Sequence, residues 1–197
     1  MKGIDVSHWN GNINWNKVQT DFAIIKCSQG VNSKDPMFET NKKGARDNNI
    51  LAGYYHFAAT NNPVGEADWF VKTVGDIQPG ELLALDAETG QSPQWCRMFL
   101  DEVTKQVGFK PLAYVPAGNG WNWQTLVDGN YGLWIARYTS SKIFIPWWLS
   151  FPPRIGQWPF YAIWQYSSKG RENGINGFVD ENYTKMSLNT LKKYGKL

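Results

Sequence analysis

Short runs of apolar residues, each about the length of a strand, alternate along the chain with amphipathic or turn-rich stretches. They fall at Lys2–Val6, 22–27, Leu51–Phe57, 82–88, 112–115, 132–137 and 162–166, with a shorter piece at 178–180. Runs such as FAIIKCS and ELLALD are apolar at consecutive positions, not at alternate ones. That pattern predicts strands covered on both faces, as in a parallel sheet. Between them, 38–48, 65–74 and Pro93–Val107 have the length and amphipathic character of helices, and Ser92 followed by Pro93 supplies a cap and a first-turn residue.

Strands alternating with helices argue for an α/β fold. Eight strands in 197 residues are crowded for a full (β/α)₈ barrel, which usually takes about 250. The second half, rich in Trp, Pro, Gly and Asn, looks poor in helix. The expectation is therefore an α/β, modified TIM-type (β/α) barrel with eight strands and a reduced number of helices. No linker, repeat or low-complexity segment interrupts residues 1–197, so they are read as one domain.

Composition sharpens this reading. The chain is 42% hydrophobic and 19% charged, as a soluble globular protein is. Aromatic residues are in surplus, with 11 Trp, 9 Tyr and 10 Phe, and such residues line clefts for flat ligands such as sugar rings. A net charge of +3 without a Lys/Arg cluster argues against a nucleic-acid partner. No apolar run approaches the ~18 residues of a membrane span, and no secretory signal is visible at MKGIDVSHWNG. Cys27 and Cys96 are too few for a disulfide framework and lack metal-ligand spacing, so neither metal nor cofactor is expected.

Polar residues collect where the strands end. Asp5 closes the first strand, with Ser7 and His8 beyond it; Tyr54 and His56 lie in the third; Asp86 and Glu88 end the fourth. Trp134, Arg137 and Tyr138 follow in the sixth, Gln165 and Tyr166 in the seventh, and Asp180 in the last. In a parallel barrel the carboxyl ends of the strands surround the active site. Within LLALDAETG the strand period of two turns Asp86 and Glu88 to the same side. Like charges that close cannot both ionise freely, so one carboxyl should hold its proton beside an ionised partner, the pairing that glycosidic cleavage uses. A pair of acids salt-bridged to Lys26 or Arg137 is the structural alternative.

GIDVSHWNGNINW, FAIIKCSQG, LAGYYHF, LLALDAE, LWIARY and IWQYSSKGRENGINGFVDEN, in that order, resemble glycoside hydrolase family 25, the N-acetylmuramidase lysozymes common among phage endolysins. The resemblance implies a modified eight-stranded barrel acting on bacterial peptidoglycan, at the β-1,4 bond from N-acetylmuramic acid to N-acetylglucosamine. It places the proton donor on Glu88 and further catalytic acids on Asp86, Asp5 and Asp180. It places substrate contacts on Tyr54, His56, Trp134, Tyr138, Trp164 and Gln165. Ile13-Asn14-Trp15 departs from the family's IDW at a position read as structural. No separate wall-binding module is expected, nor a membrane partner, and the chain is expected to be a monomer. An enzyme of this kind would accumulate in the host cytoplasm and act at the wall on lysis.

On these grounds Glu88 acts as general acid and then base, while ionised Asp86 stabilises positive charge at the sugar ring or on its acetamido group. Same-face residues two apart have Cβ atoms about 7 Å apart, which overlaps neither the ~5–5.5 Å retaining nor the ~6.5–9.5 Å inverting range cleanly. The stereochemical course therefore stays open. Two rivals remain: another N-acetylhexosamine glycosidase of chitinase type, and an inactive carbohydrate-binding barrel.

Overall fold

The computed structural model describes residues 1–118, 120–138 and 153–197. Nine strands form one sheet: β1 Lys2–Val6, β2 Phe22–Gln29, β3 Ser33–Lys34, β4 Leu51–Phe57, β5 Leu82–Asp86, β6 Leu112–Pro116, β7 Leu133–Ala136, β8 Ile163–Gly170 and β9 Val179–Tyr183. The order is β1-β9-β8-β7-β6-β5-β4-β2-β3, and a β1–β2 pairing closes eight of them into a barrel, with β3 hanging on β2 as a short hairpin partner. Helices α1 Phe38–Asp47, α2 Pro63–Val74 and α3 Pro93–Val107 cover the first half, while α4 Gln124–Asp128 and α5 Leu188–Leu191 are single turns. The expected eight-stranded, helix-poor barrel is what forms.

Besides the added β3 and the longer β2 and β8, two differences from the sequence reading bear on the site. The last strand is longer than 178–180 and runs antiparallel to both β1 and β8, so the barrel is mixed. The strand expected over 82–88 ends at Asp86, which leaves Ala87 and Glu88 just beyond the ladder. Reversal of β9 does not remove Asp180 from the mouth. An antiparallel strand begins where its neighbours end, and Asp180 at the start of β9 sits directly opposite Asp5 near the end of β1.

Strand alternation divides the apolar residues into two layers. Phe22, Ile24, Leu51, Tyr55, Leu82, Ala84, Leu112, Tyr114 and Trp134 pack inside the barrel. Ile4, Ile25, Tyr54, Leu83, Leu85, Val115 and Ile135 face outward onto Phe38, Phe70, Phe99, Leu100 and Val103 of the helices. Gly3 faces inward because the Phe22 ring fills its place: a Cβ there would lie 2.2 Å from that ring. At the amino-terminal end of the strands, the last residues plug the barrel. Leu191 is fully buried in the inner cluster, and Lys196 exchanges backbone hydrogen bonds with Gly80 and Glu81. Among the described residues, Trp9, Glu88 and Tyr138 are exposed at the opposite end, the open one.

The helices begin where the chain supplies caps. The Asn62 side chain accepts from the backbone of Val64 and Gly65, and the Ser92 side chain from Trp95, each followed by a proline at the first helical position. Gly108 ends α3 in the left-handed conformation at φ 84°. Cys27 and Cys96 are free and buried among the helix-facing residues. Among the described residues no helix is long and apolar enough to cross a membrane.

Candidate active site

The inner face of β5 explains the junction of apolar and acidic residues in LLALDAE. Leu82 and Ala84 fill the barrel interior, and the next residue on that face is Asp86, buried at the open end. The same phase brings Asp5 from β1, Lys26 from β2, Tyr55 from β4, Tyr114 from β6, Gln165 from β8 and Asp180 and Asn182 from β9 to one mouth. Glu88 follows Asp86 out of the strand and reaches solvent at the rim.

A hydrogen-bond chain ties the floor of this mouth together. Gln165 Nε2 donates to Asp5 Oδ2 at 2.8 Å, and Asn182 Nδ2 donates to the same oxygen at 2.7 Å. Tyr114 and Tyr138 donate their hydroxyls to Gln165 Oε1 at 3.0 and 3.2 Å. Trp134 Nε1 donates to Asn182 Oδ1 at 2.8 Å. Gln165 is thus fixed in one amide orientation, with its donor on the acid and its acceptor on the phenols. Buried Asp86 presents Oδ1 with no hydrogen-bond partner among the described residues, and such an atom is costly to leave unmade unless a ligand or solvent meets it.

Crowded carboxyls under partial burial hold protons. Burial, and then the charge of Asp180, raise Asp5 to about 8 against the pull of its two hydrogen bonds. Asp180 rises to about 6 through burial and the charge of Glu88. Asp86 is pushed well above the ordinary carboxylate range by burial first, then by Glu88 and Asp5. Glu88 is raised too, through burial of its carboxyl against the rim, with Lys26 opposing. The expected split, one protonated acid beside one ionised acid, becomes a cluster of four in which every member is raised. Among the described residues Lys26 makes no salt bridge: its Nζ donates to Gln29 Oε1 at 3.0 Å and lies 4.6 Å from the centre of the Phe57 ring. Burial lowers its pKa, while Asp35, Asp86 and Glu88 oppose that fall.

Of the residues expected to contact substrate, Gln165 and Tyr138 belong to this network and Trp134 lies beneath it, only 2% exposed. Tyr54, His56 and Trp164 are placed elsewhere, because each falls on the helix-facing side of its strand. The Tyr54 hydroxyl donates to Glu81 Oε1 at 2.6 Å, beside the Arg46–Glu81 ion pair. His56 is wholly buried between Phe70 and Phe99, bonded to Glu66 and Ser28 at 2.9 Å each. Trp164 Nε1 donates to the Arg137 carbonyl from the outer layer. Tyr55, not Tyr54, faces Asp86 and Asp5, and burial with those charges raises its hydroxyl pKa. Tyr114 and Asn182 were also missed. Counting outward from Asp86 in steps of two, and matching that phase on each strand, would have found all three.

A closed eight-stranded barrel with a carboxyl cluster and an amide–phenol network at its open end has the design of a glycoside hydrolase. The chain belongs to the family described as Glycosyl hydrolases family 25, the lysozyme and muramidase family, whose model matches residues 4–175. It is 32% identical over 203 residues to Lysozyme M1 of Streptomyces globisporus, covering 92% of this chain and 67% of that protein. A bacterial lysozyme structure from Streptomyces coelicolor superposes with TM-score 0.80 at 27% identity, over 99% of this chain and 96% of that one. The catalytic domain of endolysin ply40 from bacteriophage P40 of Listeria monocytogenes does so at 0.75 and 27%, covering 98% and 97%.

Proposed function

We propose that this chain is an N-acetylmuramidase that hydrolyses the β-1,4 bond from N-acetylmuramic acid to N-acetylglucosamine in bacterial peptidoglycan. The family acts on peptidoglycan, and the observation that carries the assignment is the cluster of Asp5, Asp86, Glu88 and Asp180 at the open end of the barrel. Glu88, exposed at the rim with a raised pKa, is the acid within reach of a glycosidic oxygen. It gives its proton to that oxygen as the C1–O bond breaks, and its carboxylate then takes a proton from the attacking water.

Asp86 acts through the unmade bond at Oδ1. A substrate acetamide N–H placed there would favour the carboxylate over the acid, as the donors on Asp5 do for that residue. Asp86 then becomes ionised on substrate binding, and it steadies the positive centre formed when the acetamide oxygen closes on C1. Water opens that ring, and the β configuration is retained. Asp5 and Asp180 hold the electrostatic balance of the cluster. Likeness to the catalytic domain of endolysin ply40 supports an endolysin role, with release from the host cytoplasm to the wall at lysis.

Purified wall and its soluble glycan fragments test this reading. A fall in turbidity, new reducing ends made of N-acetylmuramic acid and a first-formed β-anomer by NMR are the expected results. Reducing-end N-acetylglucosamine would move the enzyme to the chitinase-type class, and a first-formed α-anomer would exclude acetamide assistance.

A further inference from the structure

Two aromatic rings stand in solvent beside the acids, and neither belongs to the network described above. Trp9 is 84% exposed and Phe178 is 56% exposed. Trp9 follows Asp5 by four positions and Phe178 precedes Asp180 by two, while Asp5 and Asp180 pair across β1 and β9. Phe178 lies just before β9, whose second residue is Asp180.

Both rings sit on braced backbone. Ser7 and Asn10 form a reciprocal capping box around the turn that carries Trp9. His8 contacts the indole at 4.5 Å between centroids and is tied to buried Asp35 through Nδ1 at 2.7 Å. Asn10 Nδ2 donates to the Phe178 carbonyl at 3.2 Å, joining the two loops. The loop leading to Phe178 is pinned in turn: Asn14 N donates to the Gly174 carbonyl at 2.8 Å and Gln19 N to Glu172 Oε1 at 2.9 Å. Gly174, at φ 87°, lies so close to Asn14 that a Cβ would meet its carbonyl oxygen at 2.3 Å. Arg171 lays its guanidinium 4.3 Å from the centre of the Phe178 ring and gives Nη1 to the Gly177 carbonyl at 3.1 Å. Among the described residues it has no carboxylate partner.

We infer that Trp9, Phe178 and Arg171 form a subsite of this cleft, in which the rings cover a sugar face and Arg171 pairs with a carboxylate carried on that sugar. Rings held out of the core by a fixed backbone forgo burial of apolar surface, which a covering ligand restores. Asp5, Asp86 and Asp180 inside the cleft disfavour an anion there, so a negative substituent belongs at the rim where this guanidinium lies. A fork of N–H donors matches a carboxylate, and stacking on Phe178 holds the fork in place. The subsite therefore selects glycan bearing a free lactyl carboxylate over neutral N-acetylglucosamine polymer. This selection rests on the peptidoglycan reading.

Binding tests it apart from turnover. In protein carrying Glu88→Gln, calorimetry compares a (GlcNAc–MurNAc)₂ tetrasaccharide with free lactyl carboxylates against the same sugar as its methylamide. Adding Arg171→Gln should weaken the acid form about tenfold and leave the methylamide within about twofold, with Arg171→Lys recovering part of the loss. Trp9→Ala and Phe178→Ala should weaken both forms, by about tenfold. Equal loss on both forms with Arg171→Gln, or no loss on either, overturns the subsite, as does failure of both forms to bind. Binding with this pattern while the wild type cleaves neither sugar sinks the muramidase reading and leaves the subsite standing.

Discussion

His56 carries the sharpest consequence of the barrel's alternation. It lies one residue from cleft-facing Tyr55, yet it is wholly buried on the helix side, so His56→Ala should damage stability and spare chemistry. The imidazole, kept from charging by burial, bonds Glu66 Oε2 and Ser28 at 2.9 Å each. Without it, the fully buried Glu66 carboxylate keeps only the backbone donors of Ala59 and Asn61. A hydrogen bond to a charged group contributes about 1.5–3 kcal/mol, and an orphaned buried hydroxyl costs about 1–3 more. A ring-sized gap also opens against Phe99, which now stacks at 5.1 Å. Allowing for relaxation, the loss should be about 3–5 kcal/mol, in line with a broken buried pair. For a chain of this size it corresponds to a melting temperature lower by roughly 6–20 °C. Urea denaturation gives the free energy, and kcat/KM on soluble glycan at 20 °C, where the variant stays folded, gives the chemistry. Stability within about 1 kcal/mol of wild type, or kcat/KM down a hundredfold in a folded protein, would refute the placement of His56.

Other outcomes follow from the same contacts. Asp5 and Asp180 hold protons up to about 8 and about 6 in the fold, against ~3.9 in an unfolded chain. The folded state then binds more protons than the unfolded one between these values, so these acids make stability fall as pH rises from ~4 toward ~8. Asp5→Asn should flatten that fall in melts taken across pH at fixed ionic strength, and a curve parallel to wild type would show that Asp5 does not titrate there. Asn182→Leu removes a donor from Asp5 and the acceptor of Trp134. It should cost about 1–3 kcal/mol by urea denaturation and raise the Asp5 pKa further, readable by NMR of its carboxyl carbon. Gly44→Ala would set a Cβ 2.1 Å from the Trp15 ring and should cost about 1–3 kcal/mol by overpacking, with the denaturation midpoint as the check.

Much of the barrel was legible because its strands are short apolar runs bounded by turn residues, and because Pro93 and Ser92 mark a helix start on their own. The acids were legible for a related reason: an ionised carboxylate at the end of a buried run is costly unless it is paired or meets solvent. What was lost was phase. In LAGYYHF every residue from Leu51 to His56 is buried, so polarity does not say which alternate set faces the lumen. Tyr54 and His56 satisfy their polar atoms outside the barrel with Glu81, Glu66 and Ser28, partners that lie from 10 to 28 positions away in sequence. Direction was lost at β9 because a five-residue strand carries no mark of parallel or antiparallel pairing. That all four carboxyls are raised was hidden as well, since it depends on how deeply each is buried.

The central claim is that Glu88, at the rim of this acid cluster, supplies the proton for glycosidic cleavage. Replacement by glutamine keeps the shape and removes the proton, so Glu88→Gln should retain the wild-type melting temperature within a few degrees and still bind the tetrasaccharide. Its kcat on the same soluble substrate should fall by roughly 10²–10⁴. A folded Glu88→Gln protein that cleaves at near the wild-type rate would contradict that claim.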